Sequence, residues 1–285
     1  MQYNQGARLD PSQVEYRSGG RGGGRVAVGG ISGVIVLVLA MLFGINPAEL
    51  LGSGSSASVD APGTEMTQCQ TGADVETDRN CRFVVYTNTA NQYWSGLMGS
   101  RYQPATTVLF VGQTATGCGT ASTAVGPFYC PSDQKVYLDP SFTEDMLQDQ
   151  LGGKGGDAAE AYVVGHEYGH HIQNLTGRLA QVQQAGQQTG PNSPQVKLEL
   201  QADCYAGAYL ANVTSLPNSP IAVLNQDDLN RMVDAAKVVG DDYIQQRTQG
   251  GVDSDAWTHG SSNERKHWLA QGFNNGVNVC EQVFG

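Results

Sequence analysis

The chain has 285 residues, enough for one large domain or two small ones. Its net charge is −11, and four Arg against two acids in residues 1–25 leave −13 for the remainder. So acidic a body repels phosphate backbones, and no basic stripe with interleaved aromatics offsets it, so no nucleic-acid partner is expected. Only 15% of residues are charged, while Gly alone numbers 37. The chain is therefore polar by amide and hydroxyl more than by ion.

Residues 1–25, with a Gly-rich stretch at 18–24, read as a disordered cytoplasmic tail. Residues 26–45 (VAVGGISGVIVLVLAMLFGI) carry no charge. At 1.5 Å per residue this run spans ~30 Å, the thickness of a bilayer's hydrocarbon core. It exceeds the ~7–15 apolar residues of a cleaved signal peptide. A single transmembrane helix in contact with the lipid bilayer is predicted here. Arg8, Arg17, Arg21 and Arg25 precede it, and no Lys or Arg returns until Arg79. The positive-inside rule then puts the N-terminus in the cytoplasm and the rest outside the cell membrane. Residues 46–65, with GSGSSAS at 52–58, read as a flexible linker, and 66–285 as one extracytoplasmic domain.

Six cysteines agree with that placement. No two form a C-x-x-C pair, which excludes zinc-ribbon and thioredoxin-like readings. An even number at wide spacing suits three disulfides in an oxidising compartment. Cys118 and Cys130 flank a short Gly- and Pro-containing segment, so local pairing is expected, worth ~3 kcal/mol in the chain-entropy model. Cys204 then pairs with Cys280, which leaves Cys69 with Cys81 on parity alone.

Within the domain, residues 75–86 and 88–100 suggest a helix or a strand–helix pair. Residues 106–111 (TTVLFV) form a β-branched, apolar strand. Residues 126–138 hold two apolar runs about Pro131, Ser132 and Asp133, a hairpin signature. Helices are expected at 157–176, 195–212, 227–247 and 262–272. Strands first and helices afterwards define an α+β fold. The helix from Asp157 has apolar residues at three- and four-residue spacing, a capping-box pair in Asp157 and Glu160, and Gly177 to end it.

That helix carries His166-Glu167-Tyr168-Gly169-His170. Residues i and i+4 share a helical face, so both imidazoles reach one metal ion. Glu167 is placed to act as general base on a water, the H-E-x-x-H arrangement of zinc peptidases. A catalytic zinc needs a third protein ligand and one open position. Glu199 and Asp203 share a face of the helix that follows Pro194. Glu199 is the expected third ligand; Asp203 is expected to accept from a ligand histidine and fix its tautomer. Ala202, Ala206, Gly207 and Ala208 allow another helix to approach closely.

The chain resembles the bacterial membrane-anchored neutral zinc metallopeptidase family. The residues that carry the resemblance are the N-terminal apolar run, Gly117–Gly119, Gly126–Pro131, Val136–Asp139 and 161–175 around the His166–His171 block. Further carriers are 198–207, Gly240–Asp242, and Thr258–Ser261 with Arg265 and Trp268. The Glu199–Asp203 spacing is also similar to that of the gluzincin clan. The resemblance implies a zincin-like fold, a Zn²⁺ cofactor and proteolysis of a peptide or protein substrate.

Four further sites stand out. His259 precedes Ser261 and Glu264, a capping box, so it lies in a loop at a helix start. It is the candidate donor to the oxyanion of peptide hydrolysis, against a structural role. His171 lies about 100° round the helix from His170 and reads as a partly exposed polar residue; His267 reads as surface. Residues 136–139 could form an edge strand for an extended peptide or a plain core strand. The expected function is a membrane-anchored zinc-dependent endopeptidase. Its rival is a catalytically idle zinc-binding ectodomain that acts as a binding or scaffold protein.

Overall fold

A computed structural model of the chain describes residues 1–18, 63–186 and 188–285. Its strands are β1 (Gln2–Tyr3), β2 (Val14–Ser18), β3 (Thr64–Glu65), β4 (Thr106–Val111), β5 (Gln113–Thr116), β6 (Gly119–Ser122), β7 (Phe128–Cys130), β8 (Lys135–Leu138) and β9 (Ile221–Val223). Five of them form one sheet in the order β3-β2-β4-β8-β7. β2 and β8 flank β4 in parallel, while β3 and β7 close the two sides antiparallel. β4 is central because its run of apolar residues can be buried on both faces. Leu109, with Val136 and Leu138, faces the main helical core, and Val108 and Phe110, with Tyr137, face a smaller core under the β5–β6 hairpin.

Seven α-helices lie among the described residues: α1 (Cys81–Met98), α2 (Asp157–Leu175), α3 (Arg178–Gln184), α4 (Pro194–Asn212), α5 (Gln226–Val238), α6 (Asp241–Gln249) and α7 (Ser262–Asn275). The centre of the helical layer is α4, held at backbone distance on two sides. A Cβ at Gly169 of α2 would lie 2.8 Å from Ala202 Cα. A Cβ at Gly272 of α7 would lie 1.8 Å from Cys204 O, and one at Gly207 would lie 2.1 Å from Leu269 O. Only glycine permits these approaches. The disulfide Cys204–Cys280 then ties α4 to the C-terminal turn Val277–Phe284; Cys69–Cys81 and Cys118–Cys130 are the other two pairs.

Several expectations need correction. Residues 1–18 are not a disordered tail: β2 is an internal strand of the sheet, and β1 pairs with β9. β2 hydrogen-bonds to both β3 and β4. The domain also starts before residue 66, since β3 takes residues 64 and 65. The expected transmembrane helix at 26–45 and linker residues 46–62 lie outside the described residues. Among the described ones, no helix is long and apolar enough to cross a membrane.

The capping box at Asp157 does not form. Gly156 caps α2, Asp157 faces the Met1 amino nitrogen at 3.1 Å, and Glu160 pairs with Arg79 and Arg82. The helix expected at 227–247 breaks at Gly240, whose Cβ would fall 2.4 Å from Ser262 N. The two segments at 75–100 are largely the single helix α1. β8 lies inside the sheet, and β7 is the edge strand beside it.

Candidate metal centre

α2 and α4 face each other through three donors. His166 Nε2 lies 3.1 Å from His170 Nε2 and 3.1 Å from Glu199 Oε2. His170 Nε2 lies 3.6 Å from Glu199 Oε1. All three side chains are buried, and their ligand atoms lie within 4.8 Å of one another. Glu199 Oε1 is buried without a hydrogen-bond partner. A buried carboxylate oxygen left unpaired is costly, and two ring nitrogens that face each other at this distance need a proton or a cation between them. One cation with nitrogen and oxygen preference satisfies all of them, so the residues present fit zinc.

The surroundings fix these side chains. Asp203 Oδ1 accepts from His166 Nδ1 at 2.9 Å, which leaves Nε2 free to ligate. Tyr162 Oη donates to the same oxygen at 2.5 Å, and Arg265 grips both oxygens of Asp203 at 2.8 and 3.0 Å. Burial opposes ionisation of Asp203, yet Arg265 and His166 hold its carboxyl down at about 2. Burial likewise works against a charged His166, but Asp203 and Glu199 push it up to about 10, so a proton competes for the ligand position. Glu199 stays well below the usual carboxylate range despite burial, chiefly because His170 and His166 face it. Glu167 shifts the other way: burial raises its pKa, and Glu199 adds to the rise against the two histidines.

His259 is buried in the loop before α7. The backbone N–H groups of Thr258, His259 and Gly260 all donate to Asp241 Oδ2, at 2.7, 2.6 and 3.0 Å. The imidazole Nδ1 lies 3.3 Å from Asp241 Oδ1 and 2.9 Å from Thr258 Oγ1. Burial disfavours a charged His259, but Asp241 outweighs it and Glu199 adds to the rise. Sequence reasoning gave Asp241 no role. It is legible only as the first residue of a helix, because its work is done through backbone amides 17 to 19 residues away. Gln173, whose Oε1 lies 2.9 Å from His170 Nδ1, was also missed; its i+3 spacing from His170 was the available signal.

His171 is fully buried rather than partly exposed. Nδ1 meets Tyr129 Oη at 2.9 Å and Nε2 meets Gln103 O at 2.6 Å, so both nitrogens are satisfied away from the centre. His267 is exposed.

Fold and site together define an α+β protein with a buried two-histidine, one-glutamate cluster suited to zinc. Residues 5–283 match the family model described as "Putative neutral zinc metallopeptidase", and the chain belongs to that family. It is similar to uncharacterized proteins of Mycobacterium bovis and Mycobacterium tuberculosis, at 42% identity over 99% of this chain and 97% of theirs. It is also similar to the uncharacterized protein YpfJ of Escherichia coli, at 36% identity over 98% of this chain and 97% of that one. No solved structure matches. Family membership implies a Zn²⁺ cofactor and, at a coarse level, a peptidase.

Proposed function

We propose that the chain is a zinc-dependent endopeptidase that hydrolyses peptide bonds with Glu167 as general base. The observation that carries this reading is the unpartnered Glu199 Oε1 converging with the facing Nε2 atoms of His166 and His170, one residue from Glu167. His166, His170 and Glu199 would hold the ion, and when bound zinc supplies Lewis-acid polarisation of water and of the scissile carbonyl. Glu167 takes a proton from the attacking water and carries it to the leaving amine. Its raised pKa suits that exchange, since an acid–base group works best near the ambient pH. His259, clamped by Asp241, offers its imidazole to the oxyanion that develops on the substrate. A glutamate beside the cluster favours catalysis over an idle scaffold, because a structural site needs no base.

The same reading places the domain in an oxidising, extracytoplasmic compartment, supported by three disulfides. Residues 26–45 are its contact with the bilayer, an assignment supported by their apolar sequence; the pairing of β2 with β3 and β4 supports residues 14–18 on the domain's side, in place of a single crossing from a cytoplasmic N-terminus. The test is metal analysis of the full chain together with cleavage of an unfolded polypeptide with and without chelator. One zinc per chain and chelator-sensitive cleavage are expected. Zinc without cleavage would leave the scaffold, and no zinc would overturn both.

A further inference from the structure

The two ligand histidines are held by different chemistry. His166 is oriented by a carboxylate, whereas His170 faces an amide, the fully buried Gln173. An amide can turn either way, so its sense must be set by its neighbours. Gln173 Nε2 lies 2.7 Å from Leu198 O, a backbone carbonyl that can only accept. The nitrogen of Gln173 must therefore face α4, and its oxygen must face His170. The next group agrees. Gln173 Nε2 also donates to Gln201 Oε1 at 3.1 Å, which turns Gln201 Nε2 toward Cys280 O at 3.3 Å, again a carbonyl. Two buried amides bounded by two carbonyls thus form a one-way series, each donating toward the disulfide-tied C-terminal turn.

We propose that Gln173 is a positioning residue for His170: with its sense fixed by Leu198 O, its oxygen holds the proton on Nδ1 and keeps Nε2 open toward Glu199. This rests on the zinc reading of the same cluster. It differs from general packing, because Gln201 is buried in the same layer and does not touch His170.

The test compares Gln173→Met with Gln201→Met in the full chain. Zinc affinity is read by chelator competition and ligand geometry by the absorption bands of Co²⁺ at the site. Gln173→Met should weaken zinc by about 10- to 100-fold, the usual loss on removing a partner of a ligand histidine, and alter the cobalt bands. Gln201→Met should keep the wild-type bands. Equal losses in both variants would assign Gln173 to packing, and an unchanged Gln173→Met would also overturn the proposal. Should the variant fail to fold, ¹⁵N-histidine spectra of the wild-type chain decide: a His170 protonated on Nε2 overturns it. A wild-type chain that takes up neither zinc nor cobalt would sink the zinc reading, while the tautomer measurement would still judge Gln173.

Discussion

Replacing Asp203 by Asn keeps the shape of the side chain and removes its charge. Four donors converge on the carboxylate: Tyr162 Oη, His166 Nδ1 and Arg265 Nη2 on one oxygen, and Arg265 Nε on the other. An amide has one acceptor oxygen, so either orientation sets its NH₂ against at least one donor. Arg265, itself buried, also loses its counter-charge. Breaking a buried pair by removing one partner costs about 3–5 kcal/mol. At roughly 2–4 °C per kcal/mol for a domain of this size, melting should fall on the order of 10 °C. Thermal unfolding in chelator isolates this from zinc binding. A fall under roughly 2 °C on that scale would refute the argument that Asp203 compensates Arg265.

The same variant tests the pH dependence. Asp203 is lowered from 3.8 to about 2 in the folded chain. A depressed carboxylate stabilises the fold fully above its unfolded pKa, and that contribution fades as pH falls through the folded value. About two units correspond to ~2–3 kcal/mol. The stability difference between wild type and Asp203→Asn should therefore shrink by most of that, about 2 kcal/mol, between pH 4 and pH 2. A difference flat across this window would assign the loss to shape rather than charge.

Glu199→Ala should lose most zinc, whereas Glu167→Gln should keep it and lose turnover. If both retain stoichiometric zinc, the third ligand must be sought first at Asp203. His259→Ala should bind zinc normally and lose ~100- to 1,000-fold in turnover, the usual cost of one oxyanion donor; near-normal kinetics would return His259 to a structural role. Ser12 and Ser95 are both exposed, one just before β2 and the other on α1. Single cysteines there should react alike with a membrane-impermeant maleimide in intact cells, and labelling of only one would refute the shared sheet in the cell.

The parts legible in the sequence were those with local causes. The metal helix shows itself because the spacing of His166 and His170 and the apolar stripe around them are both helical. Glu199 and Asp203 repeat that spacing on a run of small residues. The C-terminal helices declare themselves by caps, as at Ser261 and Glu264. What stayed hidden depends on distant partners. β2 pairs with β4 about 90 residues away, and Arg17 within it read as a charge flanking an apolar run. His171 read as partly exposed because nothing near it in the chain announces Tyr129 or Gln103 as its partners. The break at Gly240 is likewise imposed from outside, by the close approach of Ser262.

The glycines between α4 and α7 show how the centre is kept in register. α4 supplies Glu199 and Asp203, and its backbone meets that of α7 at Gly272 and Gly207 with no room for a Cβ. α7 supplies Arg265, which grips Asp203, and the loop that leads into it supplies His259. Asp241, opening α6, clamps that loop through three backbone amides. A sliding of α7 against α4 would thus shift Arg265 relative to Asp203 and carry His259 away from Glu199 in one motion. Close-packed backbones resist such a slide far better than long side chains would, since no rotamer can absorb it. The proposed third ligand and the candidate oxyanion donor, 60 residues apart in sequence, are therefore held by one helix contact.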